Sequence, residues 1–93
     1  MKIGAVIKEL RKNKSIDQKT LAEAVGVSSI SISKIENDLT FPHKDTLSKI
    51  ADYFNVPTTY ILLMALDDSE VKDDKKSLFN SLKDNIKNYV FEV

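Results

Sequence analysis

The chain has 93 residues, enough for one domain around one modest core. Its content of 42% hydrophobic and 30% charged residues fits a globular protein, and the absence of cysteine excludes disulfides, thiol nucleophiles and cysteine-ligated zinc. Its 14 Lys/Arg balance 14 Asp/Glu, so no overall basic excess points to nucleic acid, and the apolar run from Tyr60 to Leu66 is far too short to cross a bilayer.

In chain order, Ile3, Val6, Ile7 and Leu10 share one face of a first helix expected over Lys2 to Lys12. Asn13, Lys14 and Ser15 end it, and Ile16 enters the next segment as a buried anchor. Asp17 is a good N-cap for a second helix running to Val25, and Ser28 caps a third over Ser29 to Glu36. Leu21, Val25, Val27, Ile32 and Ile35 are spaced for two crossed helices sharing a small core. Ala22 sits where those helices approach closely. Gly26 falls where the chain reverses, a position that calls for positive φ.

Asn37 to His43 reads as a loop, with Pro42 excluding a continuous helix. Leu47, Ile50, Ala51 and Phe54 mark a fourth helix from Lys44 to Phe54. Pro57 then introduces a fifth from Thr58 to Leu66. Residues Asp67 to Asp74 are acidic and polar and read as a linker. From Lys75 to Val93, Leu78, Phe79, Leu82, Ile86, Tyr89, Val90 and Val93 fall on one stripe of an amphipathic sixth helix. No strand pattern is visible, so the expected class is all-α. The first 66 residues carry nine Lys/Arg against seven Asp/Glu, and Lys8, Arg11, Lys12, Lys14 and Lys19 crowd the first helix and the approach to the second. By itself such a run is a solvated helix face. No secretory h-region or cleavage site is present, so a cytoplasmic location is expected.

Residues 1–66 resemble the lambda-repressor-like helix-turn-helix family, also called the Cro or XRE family. The residues that carry the resemblance are Asp17-Gln18, Leu21-Ala22, Val25-Gly26-Val27-Ser28 and Ile35-Glu36-Asn37. Phe41-Pro42, Leu47-Ile50-Ala51 and Asn55-Val56 support it. The resemblance implies a five-helix DNA-binding domain over 1–66, followed by a linker over 67–74 and a C-terminal helix over 75–93 outside the shared module. It implies that Gln18, with Lys19 beside it, meets a DNA phosphate, and that Asn37 makes a second such contact. Ser28, Ser29, Ile30, Ser33 and Lys34 would lie on the outward face of the third helix, which reads bases in the major groove. Arg11 and Glu36 match a pair that links the first helix to the end of the third.

Two positions depart from the family pattern. Asp38 stands where glycine is common, and Leu39 where lysine is common, which removes a phosphate contact. Both point to lower affinity than a strongly basic relative, or to contacts supplied elsewhere.

Ile30, on the outer face of a short helix, is either an incidental exposed residue or a partner for a thymine methyl group, and the groove contact is the reading favoured here. His43 has no neighbouring ligands for a metal, and the carboxylates are scattered without a phosphate loop or nucleophile motif. No enzyme activity, metal or cofactor is therefore expected. The terminal stripe either covers its own chain or packs on a second copy. The second is expected, with Leu78, Phe79, Leu82, Ile86, Tyr89 and Val90 meeting Tyr60, Leu63, Met64 and Leu66 across a homodimer. The expected function is a transcriptional regulator, a repressor because no separate activating domain is visible. It would bind double-stranded DNA at a two-fold-related operator. The alternative is an antitoxin-type interaction module whose terminal helix binds a different protein.

Overall fold

The computed structural model describes residues 2–91, which form six α-helices and no strand. Helix α1 (Ile3–Asn13) lies one residue later at each end than its apolar face suggested. Lys2 is left outside it, donating its amide to the Ala65 carbonyl at 2.9 Å. Helices α2 (Gln18–Val25) and α3 (Ser29–Glu36) have the expected bounds because both are capped by their own sequence. Asp17 accepts from the Thr20 amide at 2.7 Å, and Ser28 accepts from the Ser31 amide at 3.0 Å. Between them Gly26 has φ 77, and the Val27 amide closes the turn onto the Ala22 carbonyl at 3.0 Å.

Helix α4 (Lys44–Tyr53) stops just short of Phe54, which is buried at the cap, and α5 (Thr58–Ala65) stops before Leu66, which is extended. The turns after α1, α3 and α4 pass through left-handed residues that are not glycine: Ser15, Asp38 and Asn55. Aspartate and asparagine tolerate this conformation better than most residues. Ile3, Ile7, Leu21, Ile32, Ile50 and Ile61 are the large side chains buried most completely, drawn from all five of these helices. Stiff branched side chains suit so small a core because little rotamer freedom remains to be lost on burial.

The start of α1 and the end of α3 approach backbone to backbone. A Cβ on Gly4 would stand 2.3 Å from the Ile35 carbonyl oxygen and 2.7 Å from that of Glu36. Gly4 is therefore required by backbone packing across the fold rather than by its own φ. Its amide donates to Asp38 Oδ1 at 3.0 Å, so the aspartate that replaces the family's usual glycine caps a helix 34 positions earlier in the chain. A carboxylate there also suits the positive end of α1.

Residues 67–74 are not a plain linker. Two short 3-10 turns, Asp68–Glu70 and Asp73–Lys75, lead into α6 (Lys76–Phe91), and Asp67 caps the first by accepting from the Ser69 amide. Helix α6 docks beside α5 with Ile86 and Val90 against the core. The Lys87 ammonium meets Glu9 of α1 at 2.7 Å, and Lys83 donates to the Leu66 carbonyl. Phe79 is half-buried, and Leu78, Leu82 and Tyr89 remain 58%, 52% and 79% exposed. On α5, Tyr60 is enclosed in the chain's own core, while Leu63 and Met64, and Leu66 just beyond the helix, are half-buried. Val93, the last member of the expected stripe, lies outside the described residues.

Gly4→Ala should destabilise the domain by about 1–3 kcal/mol, the usual range for forced overpacking, because the obstacle is backbone and cannot swing aside. Urea denaturation measures this, and an unchanged midpoint would show that α1 and α3 are not held so close.

Candidate nucleic-acid interface

Glu36, the last residue of α3, has a side chain only 1% exposed, and every hydrogen bond it makes joins another helix. Arg11 of α1 donates through Nε to Oε2 at 2.7 Å and through Nη2 to Oε1 at 3.0 Å, a two-point pair. Gln18 of α2 donates through Nε2 to Oε1 at 3.1 Å. The remaining Arg11 nitrogen, Nη1, donates to the Ile16 carbonyl at 2.9 Å. The hydrogen bond to Glu36 raises the Arg11 pKa above its ordinary value, opposed in part by burial and aided by the Glu36 charge. One carboxylate thus fixes α1, α2 and α3 relative to one another.

With its inner face held this way, α3 presents a distinct outer face. At about 3.6 residues per turn, Ser29, Ile30, Ser33, Lys34 and Asn37 fall within about 140° of one another. Ile30 is 68% exposed, Ser29, Lys34 and Asn37 are exposed, and Ser33 is half-buried. Ser28 is exposed, but its hydroxyl is committed to the cap, accepting from the Ser31 amide and donating to Ser31 Oγ at 3.1 Å. Asn37 donates through Nδ2 to the Ser33 carbonyl at 2.9 Å. Lys19 is exposed on the first turn of α2, and none of the ion pairs among the described residues involves Lys19 or Lys34.

The Gln18–Glu36 bond brings the start of α2 beside the end of α3, so Gln18 and Asn37 lie at the same end of the motif. Arg11, counted earlier in the basic run of α1, is instead absorbed into the Glu36 hub and leaves Lys8, Lys12 and Lys14 exposed. Thr40 and Thr46, which sequence reasoning passed over, line the same shallow depression as Lys34. Neither belongs to a spacing pattern, and only the turn after α3, where the Leu39 and Thr40 amides donate to the Lys34 carbonyl, brings them there. Among the described residues no three His, Cys, Asp or Glu side chains sit together in a way that could hold a metal ion, and no helix is long and apolar enough to cross a membrane.

A helix-turn-helix family model matches residues 7–61, from the middle of α1 into α5. The chain belongs to the helix-turn-helix family. Its five-helix body has the lambda-repressor-like arrangement, with α6 appended. Among curated proteins it is 44% identical over 55 residues to the ImmF control region 10 kDa protein of Bacillus phage phi105, covering 59% of this chain and 61% of that one. It is 36% identical over 62 residues to the HTH-type transcriptional regulator ImmR of Bacillus subtilis, covering 67% of this chain and 49% of the relative. It is 30% identical over 84 residues to the HTH-type transcriptional activator BcrR of Enterococcus faecalis, covering 86% of this chain and 41% of the relative. The chain therefore spans between about two fifths and three fifths of the length of these three relatives. No solved structure matches it.

Arg11→Met should cost about 3–5 kcal/mol, because it leaves the Glu36 carboxylate buried and uncompensated, and Arg11→Lys should restore only part of the loss. Equal stability of Arg11→Met and wild type in urea would remove the hub from this account. A separate expectation concerns acid. Hydrogen bonds from Thr20, through its side chain and its amide, hold the Asp17 carboxyl below its ordinary pKa of 3.8. The stabilisation from this ionised cap is complete above that ordinary value and is lost as pH falls through the lowered native one. Asp17→Asn, which still caps α2, should soften the acid-side fall in melting temperature and leave neutral stability nearly unchanged.

Proposed function

We propose that this protein is a transcriptional regulator that binds a two-fold-related DNA operator as a homodimer, with α3 of each copy in the major groove. The observation that carries this reading is the outer face of α3. Ser29, Ile30, Ser33 and Lys34 are turned away from the core while Glu36 locks the inner face to two other helices. Ser29 and Ser33 supply hydroxyls for base or backbone contact, Lys34 supplies a cation for phosphate or guanine, and Ile30 supplies an apolar contact for a thymine methyl. Gln18 and Lys19, at the start of α2, and Asn37, just after α3, flank that face and hold phosphates. Ser28 contributes by setting the first turn of α3. Two such helices enter successive major grooves when held about 34 Å apart.

Repression by covering a promoter is the form of regulation proposed, because it requires only occupancy of the site. Activation is the second reading, since the Enterococcus faecalis relative is named an activator. Transcription in vitro from a promoter carrying the selected operator distinguishes the two by the sign of its response. The antitoxin-type alternative predicts co-purification of an unrelated small protein with the full chain.

Selection from a random DNA pool should yield an inverted repeat. With about six phosphates held per dimer, log affinity should fall against log salt with a slope of roughly −5, or less steeply because Gln18 and Asn37 are neutral. A slope near zero would rule out DNA binding of this kind. Ile30→Ser should cost about 1 kcal/mol of preference for thymine at one position per half-site, and uracil in place of that thymine should cost wild type a similar amount. Lys34→Ala should weaken all sequences alike if the ammonium holds phosphate, and relax one base position if it reads guanine.

A further inference from the structure

Helix α6 is turned the wrong way for a helix that only covers its own chain. Its apolar residues form one continuous stripe, yet only the Ile86–Val90 edge is packed on the core. The other edge, Leu78, Leu82 and Tyr89, lies within about 40° on the helix and stays more than half exposed. Meanwhile Lys83 and Lys87 point at the body, where they meet the Leu66 carbonyl and Glu9. Leu78 and Leu82 are centred about 80° around the helix from the packed Ile86–Val90 edge. The fold leaves them unburied, although apolar area removed from water is the main source of stability in so small a chain.

The charge pattern indicates what covers the exposed edge. Every charged side chain of α6 among the described residues, namely Lys76, Lys83, Asp84 and Lys87, lies on the opposite half of the helix. Beside Leu78, Leu82 and Tyr89 lie Ser81 and Asn85, with Asn88 and Ser77 further round the helix, all exposed and all neutral. In a chain with 30% charged residues, a wide exposed face without a charge is unusual composition for free surface. Depletion of charge is the signature of an interface core. It also selects the partner. In a two-fold interface the residues near the axis meet their own copies, so any charge there would face its like. A face of leucine, tyrosine, serine and asparagine carries no such penalty, and offers no charge by which to recognise a different protein.

We infer that the Leu78–Leu82–Tyr89 edge of α6, rimmed by Ser81 and Asn85, is the homodimer seam and pairs with the same edge of a second copy. This rests on the homodimer proposed above and narrows it: Tyr60, Ile86 and Val90 serve the chain's own core, and the seam is the remaining edge. Wild-type protein should then sediment as a dimer at tens of micromolar. Leu82→Asp should sediment as a monomer with unchanged helix content, because residue 82 is already half exposed within one chain, and should melt lower only by the loss of the second copy. Because the chain lacks cysteine, Asn85→Cys provides a single thiol on the rim of the seam, midway along it, and should form covalent dimers on mild oxidation. Asn80→Cys, on the far side of α6, should not.

A dimeric Leu82→Asp, or cross-linking of Asn80→Cys in preference to Asn85→Cys, would overturn the seam and leave the homodimer standing. A monomeric wild type would overturn both. Gel-shift titration of the selected operator is read separately. There Leu82→Asp should bind at least about tenfold more weakly than wild type, whereas a wild-type dimer that binds no DNA would strike the proposed function and leave the seam intact.

Discussion

The buried carboxylate of Glu36 is the constraint around which α1, α2 and α3 are arranged. An ionised group withdrawn from water carries a penalty of several kcal/mol unless it is paired and hydrogen-bonded. Here Arg11 and Gln18 satisfy it from two different helices. Any displacement of α3 along or about its axis would strip that carboxylate of its partners. The penalty acts as a geometric lock: it adds little net stability compared with an apolar pair, but it tolerates few alternative arrangements. A helix of eight residues has too small an apolar face to fix its own rotation, so a polar lock at one end of α3 has clear value.

A second lock stands beside the first and uses backbone. Gly4 allows α1 to press against the last carbonyls of α3, and Asp38, two residues past Glu36, reaches back to the Gly4 amide. The start of α1 would otherwise have no side-chain cap, since Lys2 supplies none. The left-handed backbone at Asp38 has a conformational cost that glycine would avoid. The carboxylate offsets it with a hydrogen bond and a favourable placement at a helix N-terminus. The exchange of glycine for aspartate is therefore part of the packing between α1 and the end of α3.

Helix α6 relates to the body differently from the other five. Those five share one core and are held by interdigitated apolar side chains from both flanks. Helix α6 is attached along one edge through Ile86 and Val90, with lysine tethers at Glu9 and Leu66. Ion pairs of that exposure contribute little, so the attachment depends on a short apolar strip. The other edge of α6, Leu78, Leu82 and Tyr89, stays exposed.

The sequence by itself determined the all-α class, the positions of the helices to within a residue or two, and the turn between α2 and α3. These follow from local rules: apolar spacing, Asp17 and Ser28 as caps, and Gly26 at a left-handed position. The Arg11–Glu36 pair was legible only through family resemblance, and the candidate face of α3 through that resemblance together with helical spacing. What only the tertiary structure decided lies between residues far apart in the chain. Gln18 joining Glu36, Asp38 capping α1 and Gly4 pressed on α3 leave no mark in any local window, because their partners are 18 to 34 positions away. The division of the α6 stripe was hidden for the same reason. Periodicity shows that a helix has an apolar side, but which edge of that side meets its own chain depends on where α1 and α5 have already been placed.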